Sequence, residues 1–326
     1  MDDGRPIGRD GTAERLSRLR AELARRGIDG FLIPHTDEYQ GEYVPASAQR
    51  LAWLSGFTGS AGLAIVLPDK AAIFVDGRYT LQAAAEVDSA LFEHRHISDQ
   101  PAAAWIEASL KPGQSLGYDS RLHTLGEVGR YRAAAEKAGG KLVPVDGNAV
   151  DAVWADRPAP PTAPVVPQEL RFAGESAESK RHRIAATLGE SGSDAAVLTA
   201  PDSIAWLLNI RGGDVPHTPL PLSFAVLHRD GSVDLFIDRR KLTPALDAHL
   251  GDSVRIDDPA GFGRFLEGLA ASGKRVLADP GLSAAWVFDR LGQAAVRGAD
   301  PCQLPKACKN AAELEGTREA HRRDGA

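Results

Sequence analysis

Trp53 to Ala84 reads WLSGFTGSAGLAIVLPDKAAIFVDGRYTLQAA, and the order of its parts decides the fold. A helix-like Leu51 to Leu54 runs into a glycine-rich turn, Ser55 to Gly62. Two apolar runs follow, Leu63 to Leu67 and Ala71 to Val75, and Pro68, Asp69 and Lys70 between them suit a hairpin turn. Short apolar runs bounded by turn residues predict buried strands. Asp76 ends the second one.

The same order recurs further along. Ala205, Trp206 and Leu207 lead through another glycine turn to apolar runs at Phe224 to Leu227 and Val233 to Ile237, then Asp238, with Arg229, Asp230 and Gly231 as the hairpin turn. Upstream, Leu16, Leu19 and Leu23 mark an amphipathic helix before Asp29 to Ile33. Ser176 to Leu188 plays that part before Asp194 to Thr199. The pairs Asp29/Asp194, Trp53/Trp206, Asp76/Asp238 and Gly117/Leu277 are offset by 165, 153, 162 and 160 residues. Loops differ in length while the order of elements holds, which predicts duplication of a whole domain rather than a short solenoid repeat.

The expected fold class is therefore α/β: two tandem duplicated domains, each a mixed β-sheet flanked by helices. Residues 1–10 are expected to be a disordered tail, 11–154 the first domain, and 155–168 a linker, since Arg157 to Pro167 holds five prolines. The second domain is placed at 169–303. Further strands are predicted at Leu116 to Tyr118, Leu142 to Val145, Ala195 to Leu198 and Arg275 to Leu277. Helices are predicted at 14–25, 81–87, 101–110 and 124–138, and after Thr243, Pro259 and Ser283. In 304–326, Asn310 followed by Glu313 predicts a capped helix from Ala311 to the end. With Leu314 as its one large apolar anchor, it reads as the first element of a further, truncated domain.

The 326 residues carry a formal charge of −6, with 43% hydrophobic and 25% charged residues. Nucleic acid is not the expected partner, because phosphate binding needs clustered Lys and Arg. No apolar run has the length of a membrane span or of a secretory signal, so a cytoplasmic location is expected. Cys302 and Cys308 lack neighbouring metal-ligand types and read as reduced thiols.

Chemistry-bearing motifs are few. The glycine turn 55–62 precedes a strand instead of opening a helix and lacks a Gly-Lys-Ser ending, so it reads as tight turning rather than a phosphate loop. His94 and His96 would share one face of a strand, without a third ligand paired to them. Asp37, Glu38 and Glu42 form an acidic loop cluster read as solvated charge. Asp76, Gly77, Arg78 and Tyr79 suit a turn or an ion pair. The most unusual loop is Asn209 to Leu222, where Asn209, Arg211, Asp214 and His217 are the substrate-facing candidates; a local Arg211–Asp214 pair in a proline-stiffened loop is the other reading.

Three stretches carry a family resemblance: Trp53 to Ala84 quoted above, HTDEYQGEYVP from His35, and IAWLLNIRGGDVPHTPLPLSFAVL from Ile204. They resemble the three-domain Xaa-Pro aminopeptidases (aminopeptidase P) of the creatinase/prolidase family, over residues 11 to 326. The resemblance implies two creatinase N-terminal-like domains here. KACKNAAELEGTREAHRRDGA from Lys306 resembles the opening helix of the family's pita-bread catalytic domain. It further implies a metallopeptidase that removes the N-terminal residue of peptides with proline second, with two manganese ions held in that catalytic domain. No catalytic residue, metal ligand or cofactor is then expected in this chain, which by itself should be inactive. Its domains would restrict substrate access and support assembly, as a homodimer. The alternative is a stand-alone, non-enzymatic peptide- or protein-binding module.

Overall fold

A computed structural model describes residues 11–325; the tail expected at 1–10 lies outside the described residues. The chain divides into two compact units, Met1–Pro160 and Pro161–Ala326.

The first unit opens with α1 (Thr12–Arg25), which buries Leu16, Leu19 and Leu23 along one face. There follow β1 (Gly30–Pro34), α2 (Arg50–Ser55), β2 (Leu63–Val66), β3 (Ala71–Val75), α3 (Thr80–Glu86) and β4 (Glu93–His96). The unit closes with α4 (Ala102–Ser109), β5 (Ser115–Tyr118), α5 (Leu125–Lys137), β6 (Lys141–Pro144) and α6 (Ala149–Val153). The six-stranded sheet has the order β4-β3-β2-β1-β5-β6. Its β1–β2 and β2–β3 pairs are antiparallel and the other three parallel. The three central strands β1, β2 and β3 are buried at every residue, which is why they read as continuous apolar runs without alternation.

The second unit begins with β7 (Val166–Pro167) and α7 (Leu170–Ala173). Then come α8 (Ala177–Glu190), β8 (Ala195–Leu198), α9 (Pro201–Leu208), β9 (Ile210–Arg211), β10 (Phe224–His228), β11 (Val233–Phe236), α10 (Pro244–Leu250) and β12 (Val254–Asp257). After these lie α11 (Phe262–Ala271), β13 (Val276–Ala278), α12 (Ala285–Leu291), β14 (Ala295–Arg297), α13 (Gln303–Ala307) and α14 (Ala311–Asp324). Its sheet order, β12-β11-β10-β8-β13-β14, repeats the first with the same parallel and antiparallel pairs. Register repeats as well. Phe31 faces Val66 and Gly117 in one copy, and Ala196 faces Leu227 and Leu277 in the other.

Side chains that tie backbone to backbone are duplicated too. Asp29 and Asp194 each accept from an amide at the start of a strand, that of Ser115 in β5 at 2.7 Å and that of Arg275, just before β13, at 2.9 Å. Asp76 and Asp238 each grip the arginine two residues on through both its amide and its guanidinium. Arg15 lies 5.4 Å over Trp53 and donates to the Trp53 carbonyl at 2.7 Å. Lys180 does the same at Trp206, 4.5 Å over the ring and 3.1 Å from the carbonyl.

Four strands and three short helices lay outside the sequence expectation: β7, β9, β12, β14, α6, α7 and α13. Of the strands, β7 and β9 are two residues each, and β12 and β14 sit at sheet edges and read VRID and AVR, where exposed polar residues interrupt the apolar signal. The proline-rich stretch is tied down at both ends. Arg157 donates to the Ser47 carbonyl at 2.7 Å, and the buried Val165 donates its amide to Lys241. In α14 the Asn310 side chain accepts from the Glu313 amide while Glu313 accepts from the Asn310 amide, a reciprocal cap.

Candidate functional site

The loop from Asn209 to Leu222 starts where α9 stops. Asn209 takes a left-handed conformation, φ 50°, that an asparagine tolerates and that ends the helix. Its side chain points inward, accepting from Lys180 Nζ at 2.8 Å and donating to the Glu175 carbonyl at 2.8 Å. Burial lowers the Lys180 ammonium below its ordinary pKa, against the opposing charges of Glu313 and Glu175. Arg211 is half-buried and donates to the carbonyls of Ile210 at 2.8 Å and Ala205 at 3.3 Å. Its pKa is lowered by burial, with Glu313 acting the other way.

Asp214 lies within the fold. Its Oδ2 accepts from Lys241 Nζ at 2.6 Å and from the Leu222 amide at 2.7 Å, so it closes the loop on itself. His217, φ 58°, is exposed at the tip of a turn in which Val215 and Thr218 bridge. The four candidates therefore divide into two groups. Asn209 and Asp214 anchor the loop from inside, while Arg211 and His217 present surface. Arg211 and Asp214 do not pair with each other; each has its own partners.

In the first unit the counterpart, between α2 and β2, is the shorter glycine turn 56–62, and it lies beside the loop that follows β1. Asp37, read from sequence as solvated, is buried instead, because its Oδ1 accepts from the amides of Tyr39 at 3.0 Å and Gly41 at 3.2 Å and turns the chain. Burial, with Glu38 adding its charge, pushes the Asp37 carboxyl up to about 6. Glu38 pairs with Arg50, which is held by Asp151 through two bonds of 2.8 and 3.0 Å. Ser60 of the glycine turn bonds Tyr79 at 2.8 Å and Glu42 at 3.2 Å. A Cβ at Gly59 would overlap the Phe57 ring, so the turn needs glycine there for packing.

Of these, Gly41, Glu42 and Ser60 border an open cavity of about 520 Å³ that also meets His35, Arg78, His123 and Glu127. His123 was not singled out from sequence. It is wholly buried between Tyr118 and Tyr131, and neither ring nitrogen makes a hydrogen bond. Burial pushes its imidazole down to about 4, opposed by Glu127. It directly precedes the Thr124–Glu127 capping box of α5, a signal for where the helix starts that carries no sign of burial. His94 and His96 do fall on one strand, β4. Among the described residues, no group of three or more His, Cys, Asp or Glu could hold a metal ion, and no helix is long and apolar enough to cross a membrane.

Residues 15–153 match a family model described as the Creatinase/Prolidase N-terminal domain, and residues 156–313 match a second model of the same description. Similar curated proteins include the Probable Xaa-Pro aminopeptidase P of Coccidioides posadasii, 38% identical over 97% of this chain and 53% of that protein. The protein of the same description from Aspergillus niger is 36% identical, with the same coverage. The chain spans about half the length of the curated relatives it matches. Among solved structures, an X-prolyl aminopeptidase from Caenorhabditis elegans, described as a cytosolic enzyme with a di-nuclear active site, superposes with a TM-score of 0.89 at 30% identity. That match covers 96% of this chain and 54% of the other.

Proposed function

Because the chain belongs to the creatinase/prolidase family and carries its N-terminal domain twice, we propose that it supplies the non-catalytic N-terminal half of an Xaa-Pro aminopeptidase. The observation that carries the reading is the unbroken likeness to Xaa-Pro aminopeptidase P proteins over 97% of this chain and about half of theirs. The bond before proline is a tertiary amide without N–H, so a peptidase acting there must grip the substrate elsewhere. Metal ions, two manganese ions on this reading, would polarise that carbonyl and activate water. The described residues of this chain offer no donor set that fits such a pair, so no chemical step is assigned to them.

Their part is to shape access and support a homodimer in the cytoplasm. Arg211 and His217 would form the rim over which a peptide enters, with Asn209 and Asp214 holding the loop in shape from within. In a protein joining this chain to a catalytic half, Arg211→Ala and His217→Ala should lower kcat/KM on Xaa-Pro peptides several-fold with little change in Tm, because rim groups bury few contacts. Unchanged kcat/KM in both, on short and long peptides alike, removes the rim role. The 326-residue chain alone should release no residue from an Arg-Pro-Pro peptide; metal-dependent release by it would overturn the non-catalytic assignment.

A further inference from the structure

Helices α1 and α8 align residue for residue at an offset of 165, so Leu19 answers to Ile184 and Leu23 to Leu188, all buried. Leu16 answers to Arg181. A core leucine of the first copy is thus a guanidinium in the second, and that guanidinium is 6% exposed. Arg181 donates Nη1 to the Gly231 carbonyl at 2.7 Å, and its Nε has no partner. Among the described residues no carboxylate pairs with it at ion-pair distance, and Glu178 acts on it only as a more distant charge, although a buried charge is normally paired.

Arg181 lines an open cavity of about 750 Å³ bounded by the first turn of α8, the end of α9 and the segment joining α10 to β12. Ser176 caps α8 by accepting from the Ser179 amide, which leaves the amides of Ala177 and Glu178 directed outward at the positive end of the helix. Two carboxylates on the same lining, Glu178 and Asp252, have no ion-pair partner among the described residues.

We propose that this cavity binds a small zwitterion, an α-amino acid or short peptide, with its carboxylate on Arg181 and the α8 N-terminus and its ammonium between Glu178 and Asp252. An anion alone would answer Arg181 but meet two carboxylates; a cation alone would leave the buried guanidinium with only the more distant charge of Glu178. A molecule carrying both charges satisfies all three groups, and the cavity holds a dipeptide with room to spare. The site stands on the geometry of the second unit and is independent of the peptidase reading, so loss or retention of a rim effect at Arg211 leaves it untouched.

Calorimetric titration of the whole chain tests it, with dialanine, N-acetyl-dialanine, dialanine amide and acetate as probes. Dialanine is expected to bind saturably. Blocking either end, or offering acetate alone, should weaken binding by about tenfold or more, as loss of a charge-assisted bond does. Arg181→Leu installs the residue of the first copy and should fold, with binding weakened by about tenfold or more and no rise in Tm on adding dialanine. Glu178→Gln with Asp252→Asn should weaken dialanine and strengthen acetate, because the charges that repel a lone anion are gone. Absence of saturable dialanine binding, equal binding of acetate, or undiminished binding by Arg181→Leu would each overturn the proposal.

Discussion

The two copies share a scaffold and differ in what fills it. Every strand, its neighbour and its direction recur from the first unit to the second. So do the aspartates that pin loops to strands, and the cation seated on the tryptophan of α2 or α9. The contents diverge at three equivalent positions, all buried: Leu16 against Arg181, Arg50 against Ser203, and His123 against Ser283. Groups that satisfy the backbone have few substitutes, because an orphaned buried amide or carbonyl costs as much as a lost hydrogen bond. Side chains that only occupy space between helix and sheet can change character if a neighbour changes with them. Duplication therefore exposes which residues hold the fold and which distinguish one unit's surface and cavities from the other's.

The largest effect that would sharpen this comparison is at the shared tryptophan. Trp53 stacks on Trp154 with ring centroids 5.4 Å apart, while Trp206 has Lys180 and Arg183 beside it. Truncation of either to alanine should cost about 3–5 kcal/mol in its own unit. Trp53→Ala should cost more by about 1 kcal/mol, the worth of a ring pair beyond buried area. Because two units need not unfold together, hydrogen exchange resolved by unit is the measurement. Equal losses would mean that the stack adds nothing to the first copy.

A smaller effect tests the divergent positions. Arg50→Met leaves Glu38 unpaired and Asp151 with Arg157 alone, and should destabilise the first unit by about 3 kcal/mol. Adding Asp151→Asn and Glu38→Gln should recover part of the loss, since the penalty lies in the stranded charges rather than in the missing side chain. If the triple variant is no more stable than Arg50→Met alone, the arginine acts through packing.

Duplication was legible because its signals are local: apolar strands bounded by turns, the Ala-Trp-Leu motif and the Asp that follows each hairpin. Edge strands such as VRID at 254–257 were not, because their burial comes from one neighbour and one face. The Asn310–Glu313 cap was read correctly from two residues three apart, a distance over which the chain dictates geometry. The functional candidates fared differently, and the reason is range. Asp214 finds Lys241 and Asn209 finds Lys180, partners 27 and 29 residues away. His123 meets Tyr118 and Tyr131 through packing, so its burial has no signature in composition or spacing.

The subtlest test of the comparison is the pH response of the first unit, where Asp37 and His123 act in opposite senses. The Asp37 carboxyl is raised from 3.8 to about 6. Its folded form therefore prefers the proton, and the stability it contributes is full below about pH 4 and lost as pH rises through 6. The His123 imidazole is lowered from 6.5 to about 4. The folded form prefers it neutral, so its contribution is present above 6.5 and lost as pH falls through 4. Between pH 4 and 6 each slope approaches about 1.4 kcal/mol per pH unit, and the two largely cancel. Relative to the native chain, Asp37→Asn should gain stability above pH 6, by roughly 3 kcal/mol, with the gain vanishing toward pH 4. His123→Gln should show its advantage only on the acid side, growing as pH falls from 6.5 to 4. Unit-resolved exchange across that range, read as differences from the native chain, isolates each residue from the other titrating groups. A pH-independent difference for either variant would place its group in the folded state with an ordinary pKa, and the second copy, with Ser283 at the position of His123, should respond to neither substitution.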